Sequence, residues 1–195
     1  MRVISGKFKG KEILPPPENV ELRPTSDKVR EALFDTIRMY LEGRTFLDLY
    51  AGSGAVGIEA LSEGAALSAF VEKNSNSLRI LKKNIAIFGL KKDVIIVKKD
   101  VLLLMKNPDK LLKKTERPFD FVFLDPPFPL KIAGMTVSLL ASSPFIHEQS
   151  WIIAEHSTEE KLPCEFDGEK PLKKFKEKRY GKVVLSYYGT KKALE

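Results

Sequence analysis

The stretch that most constrains the fold is residues 45–57, which reads T-F-L-D-L-Y-A-G-S-G-A-V-G. An apolar run with strand composition comes first, three glycines follow, and an apolar, helix-forming stretch completes it. Glycine has no Cβ and tolerates positive φ, so backbone N–H groups in such a turn can approach a ligand closely. The pattern predicts a strand, a glycine turn and a helix that together bind a nucleotide-like cofactor. An ordinary tight turn without a ligand is the alternative.

The glycine spacing fits two kinds of cofactor. Gly52-x-Gly54-x-x-Gly57 satisfies the dinucleotide fingerprint, and Glu72 lies twenty residues after Gly52, where a ribose-binding acid is expected. Asp48 argues against NAD, because two like charges about 4 Å apart at an effective dielectric near 20 repel by roughly 4 kcal/mol. S-adenosylmethionine has no phosphate and carries a sulfonium and an ammonium group. The acid therefore favours S-adenosylmethionine.

Strands and helices alternate after this turn. Predicted strands cover residues 46–50, 67–71, 94–97 and 119–124, and predicted helices cover 55–62, 75–88 and 101–114. Such alternation predicts a parallel sheet with helices on both faces. A helix over 131–140, a fifth strand over 151–155 and an antiparallel hairpin of 172–180 with 182–188 are predicted to follow.

Each of the first four predicted strands has an acid at or near its carboxyl end: Asp48, Glu72, Asp100 and Asp125. We expect the four acids to face one rim, because ligands bind at the carboxyl ends of strands in open α/β sheets. Glu72 and Asp100 fit the hydroxyl groups and the amine of adenosine. A magnesium site is the alternative, and it leaves the glycine turn unexplained.

The segment Asp125-Pro126-Pro127-Phe128 suits a planar amine. Its prolines fix the backbone and lack N–H donors, so it presents a carboxylate, carbonyl oxygens and an aromatic ring. Asp125 and the Pro126 carbonyl can accept both hydrogens of an exocyclic amine while Phe128 stacks on the base. A base inside a paired or stacked structure must first be extruded, at a cost of a few kcal/mol. A proline-rich strand exit without chemistry is the alternative.

Composition narrows the class of protein. A chain of 195 residues with 43% apolar residues has the size of one domain with a substantial core. One cysteine, Cys164, rules out an internal disulfide, and with two histidines we expect no metal. We also expect no membrane span and a cytoplasmic location. The net charge of +7 and pI near 9.3 suggest a polyanionic partner, although lysine is spread along the whole chain.

Basic residues form two candidate nucleic-acid arms. Arg2, Lys7, Lys9 and Lys11 surround a predicted N-terminal hairpin with strands near residues 3–4 and 12–14, and Lys173 and Lys174 belong to the terminal hairpin. For both, a solvated edge protected by lysine is the alternative.

An N-terminal helix is predicted between the proline-rich linker and the glycine turn. Thr25, Ser26 or Asp27 can cap it, and it runs to about Leu41. Apolar residues at four-residue intervals give it a stripe that packs on the main domain. The charged residues near its start, Arg23 and Arg30 among them, are either functional or simply cap and surface charge.

These residues resemble the RsmD-type 16S ribosomal RNA guanine-N2 methyltransferases, within the Rossmann-like class I S-adenosylmethionine-dependent enzymes. The resemblance rests on R-V-I-S-G-K-F-K-G-K, L-R-P-T-S-D-K-V-R-E-A-L-F, D-L-Y-A-G-S-G-A-V-G-I-E-A-L-S, D-P-P-F and K-R-Y-G-K-V-V-L. It covers nearly the whole chain, and the second of these segments makes it specific.

The resemblance implies a seven-stranded, mostly parallel α/β sheet whose last strand is antiparallel. It implies a basic hairpin and linker over residues 1–21 and a methyltransferase domain over 22–195. The implied cofactor contacts are Asp48, Leu49, Tyr50, Ala51, Gly52, Ser53, Gly54, Glu72, Lys73, Asp100, Val101 and Asp125. The implied guanine contacts are Asp125, Pro126, Pro127 and Phe128. The implied RNA contacts are Arg2, Lys7, Lys9, Lys11, Arg23, Thr25, Arg30, Lys173 and Lys174, with Arg23 and Thr25 near the reaction centre.

The implied activity is methyl transfer to the N2 amine of one guanine of 16S rRNA in a partly assembled small subunit, by a monomer. Lys11 and Glu63 depart from the residues common in the family, which affects the RNA contacts and leaves the methyl-transfer site intact. Three alternatives remain open: an amine methyltransferase for another RNA site or DNA adenine, an NAD-dependent oxidoreductase, and a non-catalytic RNA-binding module.

Overall fold

The computed structural model describes residues 1–15, 26–115 and 117–193, which form two compact units, Met1–Val101 and Leu102–Glu195. Arg23, Thr25 and most of the proline-rich linker lie outside the described residues. The predicted domain boundary between residues 21 and 22 falls in the same gap and stays a prediction.

The first unit carries a parallel three-stranded arrangement in the order β3-β2-β1. Its elements are α1 (Asp27–Ile37), β1 (Thr45–Leu49), α2 (Ala55–Ser62), β2 (Leu67–Glu72), α3 (Ser75–Phe88) and β3 (Val94–Lys98). All five residues of β1 are buried, which explains why the strand is an almost continuous apolar run. The predicted strand, turn and helix around the glycines are confirmed.

Helix boundaries in this unit follow from local hydrogen bonding. The Ser26 side chain, one of the three predicted caps, accepts the Val29 N–H at 3.3 Å and caps α1, which ends at Ile37 instead of near Leu41. Asn74 caps α3 by accepting the N–H groups of Asn76 and Ser77. Gly89 ends α3 with φ of 70°, a conformation that favours glycine.

The N-terminal segment differs from the predicted two-stranded hairpin. Its two arms meet at a single bridge, Arg2 with Glu12, and a 3₁₀ helix, Gly6–Phe8, forms the connection. Phe8 is buried and makes an edge-to-face contact with Phe88 of α3, with ring centroids 5.3 Å apart. The segment is therefore packed on the first unit through its buried apolar residues, and it does not extend as a free ribbon.

A buried ion pair links three parts of the first unit. The Arg30 Nε donates to Glu59 at 3.3 Å, and both side chains are fully buried. Glu59 also accepts the N–H groups of Ile4 and Ser5, and Arg30 donates to the carbonyl of Arg2. Burial raises the pKa of Glu59, while these N–H donors and Arg30 oppose the rise. The pair thus ties α1, α2 and the N-terminal segment together.

The second unit is a mixed sheet in the order β4-β5-β8-β7-β6. Its elements are α4 (Val101–Lys106, beginning at the last residue of the first unit), α5 (Asp109–Leu112), β4 (Phe119–Leu124), α6 (Ala133–Ala141), β5 (Ile146–Ser157), β6 (Glu165–Phe166), β7 (Leu172–Tyr180) and β8 (Val183–Thr190). Strands β4 and β5 are parallel, and the remaining pairs are antiparallel. The predicted α/β class and the antiparallel terminal hairpin are confirmed.

Four details of the second unit correct the sequence predictions. The helix predicted over 101–114 is broken, because Pro108 has no N–H and disfavours helical backbone in Asn107. The next helix begins at Ala133, since Lys131 adopts a left-handed φ of 47°. Strand β5 covers Ile146–Ser157 and is therefore longer at both ends than the predicted strand over 151–155. The short strand β6 brings the number of described strands to eight instead of seven. The sequence could not indicate β6, because two residues are too few to show the alternation of apolar and polar positions that predicts a strand.

No helix among the described residues is long and apolar enough to cross a membrane.

Removing one partner of the buried pair should destabilise the protein strongly. For Glu59→Gln we expect a loss of about 3 kcal/mol or more in the free energy of unfolding, because Arg30 stays buried and keeps only the exposed carboxylate of Asp27, 3.2 Å away, as a counter-ion. Denaturant titration measures this loss. Asp35→Asn, which breaks the exposed Asp35–Arg38 pair, is the matched control and should cost less than about 1 kcal/mol. Equal losses of stability for the two variants would contradict the proposed role of the Arg30–Glu59 pair.

Candidate cofactor and acceptor sites

The turn after β1 has an unusual backbone. Tyr50, Gly52 and Gly54 all have positive φ, at 66°, 54° and 82°. Positive φ is costly for tyrosine, and such strain is concentrated at functional sites. The turn is therefore held in a conformation that its own sequence does not favour at Tyr50.

Two carboxylates hold this turn through its N–H groups. The Asp48 carboxylate accepts the Gly57 N–H at 3.0 Å, at the first turn of α2. Glu72, the last residue of β2, accepts the Gly52 N–H at 2.8 Å with one oxygen and the Asn74 N–H at 2.6 Å with the other. Each carboxylate oxygen has two lone pairs, so Glu72 retains capacity to accept hydroxyl groups of a ligand.

Asp48 is less strongly ionised than the repulsion of a pyrophosphate requires. Its side chain is buried, and burial raises its pKa to about 7, with the Gly57 N–H opposing the rise and nearby Glu72 adding to it. Near neutral pH the carboxyl is therefore about half protonated. Asp48 therefore repels a pyrophosphate less than a fully ionised carboxylate would. Asp48 acts as an internal brace of the turn.

The three glycines have different roles. A Cβ on Gly54 would lie 2.2 Å from Leu81 of α3, and one on Gly57 would lie 2.3 Å from Phe70 of β2. Those two glycines are needed for close packing of the turn. A Cβ on Gly52 would have no heavy atom within 4 Å, and Gly52 is half-buried. The open side of the turn is therefore at Gly52, where a ligand can approach the backbone.

Asn84 supports the glycine turn, and the sequence analysis did not predict this role. It is fully buried on α3 and donates from Nδ2 to the carbonyls of Ser53 and Leu14, at 2.9 and 3.1 Å. Its Oδ1 accepts the Leu14 N–H. The available signal was a polar residue between Leu81 and Ile85 on the apolar face of the helix. Asn84 thus joins the glycine turn to the N-terminal segment.

The remaining predicted cofactor residues occupy the ends of β1, β2 and β3. Leu49, Ala51 and Ser53 are buried, and the Ala51 N–H donates to the Val71 carbonyl. Lys73 and Asp100 form an ion pair at 3.1 Å. Val101 is buried directly after Asp100. The structure thus places Asp48, Glu72 and Asp100 at the carboxyl ends of three adjacent parallel strands.

The predicted acceptor segment lies in the second unit, directly after β4. Asp125 and Phe128 are half-buried, Pro126 is buried and Pro127 is half-buried. A 3₁₀ helix, Phe128–Leu130, follows, with Pro127 before it. The segment therefore shows part of a carboxylate and part of an aromatic ring to solvent at a strand end. A shared rim for all four acids stays a prediction.

The N-terminal cations are exposed but differ in their contacts. Arg2 donates to the Gly10 carbonyl at 2.8 Å. Lys7 and Lys11 lie over the Phe8 ring, with Nζ to centroid distances of 5.4 and 5.1 Å. Lys9 is exposed. All four stay candidates for RNA contact.

Two of the predicted RNA contacts are corrected by burial. Arg30 is 0% exposed and bonded inside the first unit, so its guanidinium is not presented to a macromolecule. Lys174 has a side chain 12% exposed that donates to Glu177 at 2.6 Å and to the Leu162 carbonyl. The hydrogen bond from Lys174 to Glu177 is the main reason why the pKa of Glu177 is lowered. Lys173 is exposed and lies 3.6 Å from Glu165.

The fold and the glycine turn, together with the similarities that follow, place the chain among the Rossmann-like class I S-adenosylmethionine-dependent methyltransferases. A solved Escherichia coli protein, yhhF, superposes with a TM-score of 0.80 at 30% identity, covering 97% of each chain. A hypothetical protein of Thermus thermophilus superposes with a TM-score of 0.77 at 30% identity, covering 97% of this chain and 99% of that one.

Residues 1–189 match the family described as Conserved hypothetical protein 95. The relatives include proteins called ribosomal RNA small subunit methyltransferase D. That of Escherichia coli K12 is 32% identical over 84% of this chain and 78% of its own length. That of Buchnera aphidicola from Acyrthosiphon pisum is 35% identical over 82% and 80%. The chain belongs to this family, the RsmD methyltransferases, and the predictions of family and of S-adenosylmethionine as cofactor are confirmed.

The buried acid predicts a specific pH dependence of stability. Because the pKa of Asp48 is raised from 3.8 to about 7, the folded state binds its proton more tightly than the unfolded state. The stabilising contribution of that proton is complete below pH 3.8 and is lost as the pH rises through 7. Asp48→Asn has no such proton. Between pH 5 and 7 we expect wild type to lose about 2 kcal/mol relative to this variant.

Urea unfolding of both proteins across that pH range measures the difference. Parallel stability curves would show that Asp48 does not titrate as described.

Proposed function

We propose that this chain transfers a methyl group from S-adenosylmethionine to the exocyclic N2 amine of one guanine in 16S rRNA of the small ribosomal subunit. The observation that carries the proposal is the open backbone at Gly52, braced by Glu72 at a strand end. Support for the RNA substrate comes from the relatives, which are called ribosomal RNA small subunit methyltransferases.

The first unit supplies the cofactor-binding part. Gly52 leaves room for a ligand beside the turn, and Glu72 has lone pairs available for the ribose hydroxyls. Asp100, paired with Lys73, is proposed to accept from the adenine amine. These residues fit S-adenosylmethionine, which supplies an electrophilic methyl group when bound.

The second unit supplies the acceptor part. The half-buried Asp125 carboxylate and the Pro126 carbonyl are proposed to accept the two N–H groups of the guanine amine, while Phe128 stacks on the base. Both acceptors orient the nitrogen lone pair for attack. Positioning of this kind can lower a barrier by about 7–11 kcal/mol, so no covalent nucleophile is needed. The proton lost from the nitrogen passes to Asp125 or to water.

Further details of the proposal follow from the family and from charge. The substrate is a partly assembled small subunit, and the enzyme acts as a monomer in the cytoplasm. Arg2, Lys7, Lys9, Lys11 and Lys173 are the remaining candidates for RNA contact from the sequence analysis, with Arg23 and Thr25 near the reaction centre. Arg30 and Lys174 are left out because their side chains are engaged internally.

The substrate is tested by methyl transfer from tritiated S-adenosylmethionine. Partly assembled small subunits, mature subunits, naked 16S rRNA and DNA from a strain without the enzyme are compared. We expect label in small-subunit particles, identified as N2-methylguanosine by mass spectrometry of nucleosides and assigned to one position by mass spectrometry of nuclease fragments. Preferential labelling of DNA, or label in another nucleoside, would overturn the proposal.

Two variants separate the cofactor part from the acceptor part. Glu72→Gln should weaken binding of S-adenosylhomocysteine by roughly tenfold or more, because hydrogen bonds to a charged group contribute about 1.5–3 kcal/mol. Asp125→Asn should abolish turnover and change that affinity little, because it replaces an acceptor of the guanine amine. Calorimetry and the methylation assay measure the two effects. Unchanged turnover in Asp125→Asn would leave Asp125 without the proposed role.

A further inference from the structure

A groove of about 480 Å³ lies on the outer surface of α3 and beside the end of β3. Leu78 and Ala86 form apolar parts of its lining. Four basic side chains complete it: Arg79, Lys82, Lys83 and Lys98. None of these cations was singled out by the motifs of the sequence, and none belongs to the cofactor site described above.

The charge of this groove is of one sign. Helix α3 carries three basic residues and no acidic residue along its fourteen positions. Arg79 precedes Lys82 by three residues and Lys83 by four, so its side chain neighbours both of theirs on the helix surface. Like charges at these spacings destabilise a helix. A bound anion would remove that repulsion.

The cations on α3 also lack internal partners. Within residues 1–15, 26–115 and 117–193, the side chains of Arg79, Lys82 and Lys83 make no hydrogen bond or ion pair. All three are exposed. The cations of β7 differ, since Lys173 lies beside Glu165 and Lys174 is bonded to Glu177. The groove therefore holds positive charge that the described protein does not neutralise.

We propose that this groove on α3 binds the phosphate backbone of the RNA substrate, a proposal that rests on the proposed function. Its cations are spread along the helix over about one turn instead of converging on one point, which suits successive phosphates better than a single one. Lys98 donates to Ser75 at 2.7 Å, which holds its ammonium group beside the helix. The apolar lining can contact a ribose or a base edge. Contacts of this kind carry no sequence information and set position on the RNA.

The test compares two variants with the same change in net charge. In one, Arg79, Lys82 and Lys83 are each replaced by Gln, which preserves helix propensity. In the control, Lys106, Lys113 and Lys114, exposed residues outside the groove, are replaced by Gln. Binding of a fluorescent 16S rRNA fragment is measured by anisotropy over a series of salt concentrations. Calorimetry with S-adenosylhomocysteine checks that both variants retain the cofactor site.

For the groove variant we expect RNA binding about tenfold or more weaker, with a slope of log K against log salt shallower by about 2, because each lost phosphate contact removes about 0.7–0.9. For the control we expect a slope within about 0.5 of wild type. Equal effects in both variants would show a net-charge effect and overturn the proposal. Inorganic phosphate or AMP that binds wild type but not the groove variant, with RNA affinity unchanged, would also overturn it.

Failure of the proposed function is distinguished by the methylation assay on wild-type protein. If wild type methylates DNA instead of rRNA, the substrate is wrong whatever the groove variant does. If wild type methylates rRNA and the groove variant matches the control in RNA affinity and salt slope, the groove proposal alone is wrong.

Discussion

The glycine turn depends on hydrogen bonds between its own N–H groups and two acids from neighbouring strands. Asp48 accepts from Gly57 and Glu72 accepts from Gly52, so the two ends of the turn are held from inside β1 and β2. Backbone amides bonded in this way are fixed before any ligand arrives, which reduces the ordering cost of binding. The positive φ of Tyr50 is tolerated because these bonds hold the backbone that directly follows it.

A second set of buried polar groups joins the N-terminal segment to this turn. Glu59 collects N–H donors from that segment and pairs with Arg30, while Asn84 bonds to Leu14 on one side and to Ser53 of the turn on the other. The side chains of Glu59, Arg30 and Asn84 are fully buried. A buried polar group that loses its partner carries a large penalty, so the segment and the turn are expected to be ordered together.

The basic residues fall into two groups according to burial: those paired inside the protein and those exposed on its surface. Arg30 and Lys174 carry positive charge that acids of the protein neutralise. The cations of α3 carry charge that no described residue neutralises. The net charge of the chain gives no basis for this division, since all these residues count equally in the sum. Steering and phosphate contact depend on the second group.

The sequence by itself determined the class of fold and the location of the cofactor turn. Strand periodicity, glycine spacing and capping residues act over a few positions, and they gave β4, α2, α3 and the cap at Ser26 correctly. Tertiary structure decided which charged residues are internal, because burial depends on neighbours that are distant in the chain. It also buried Asp48 and raised the pKa of its carboxyl group, since desolvation outweighs the hydrogen bond that it accepts.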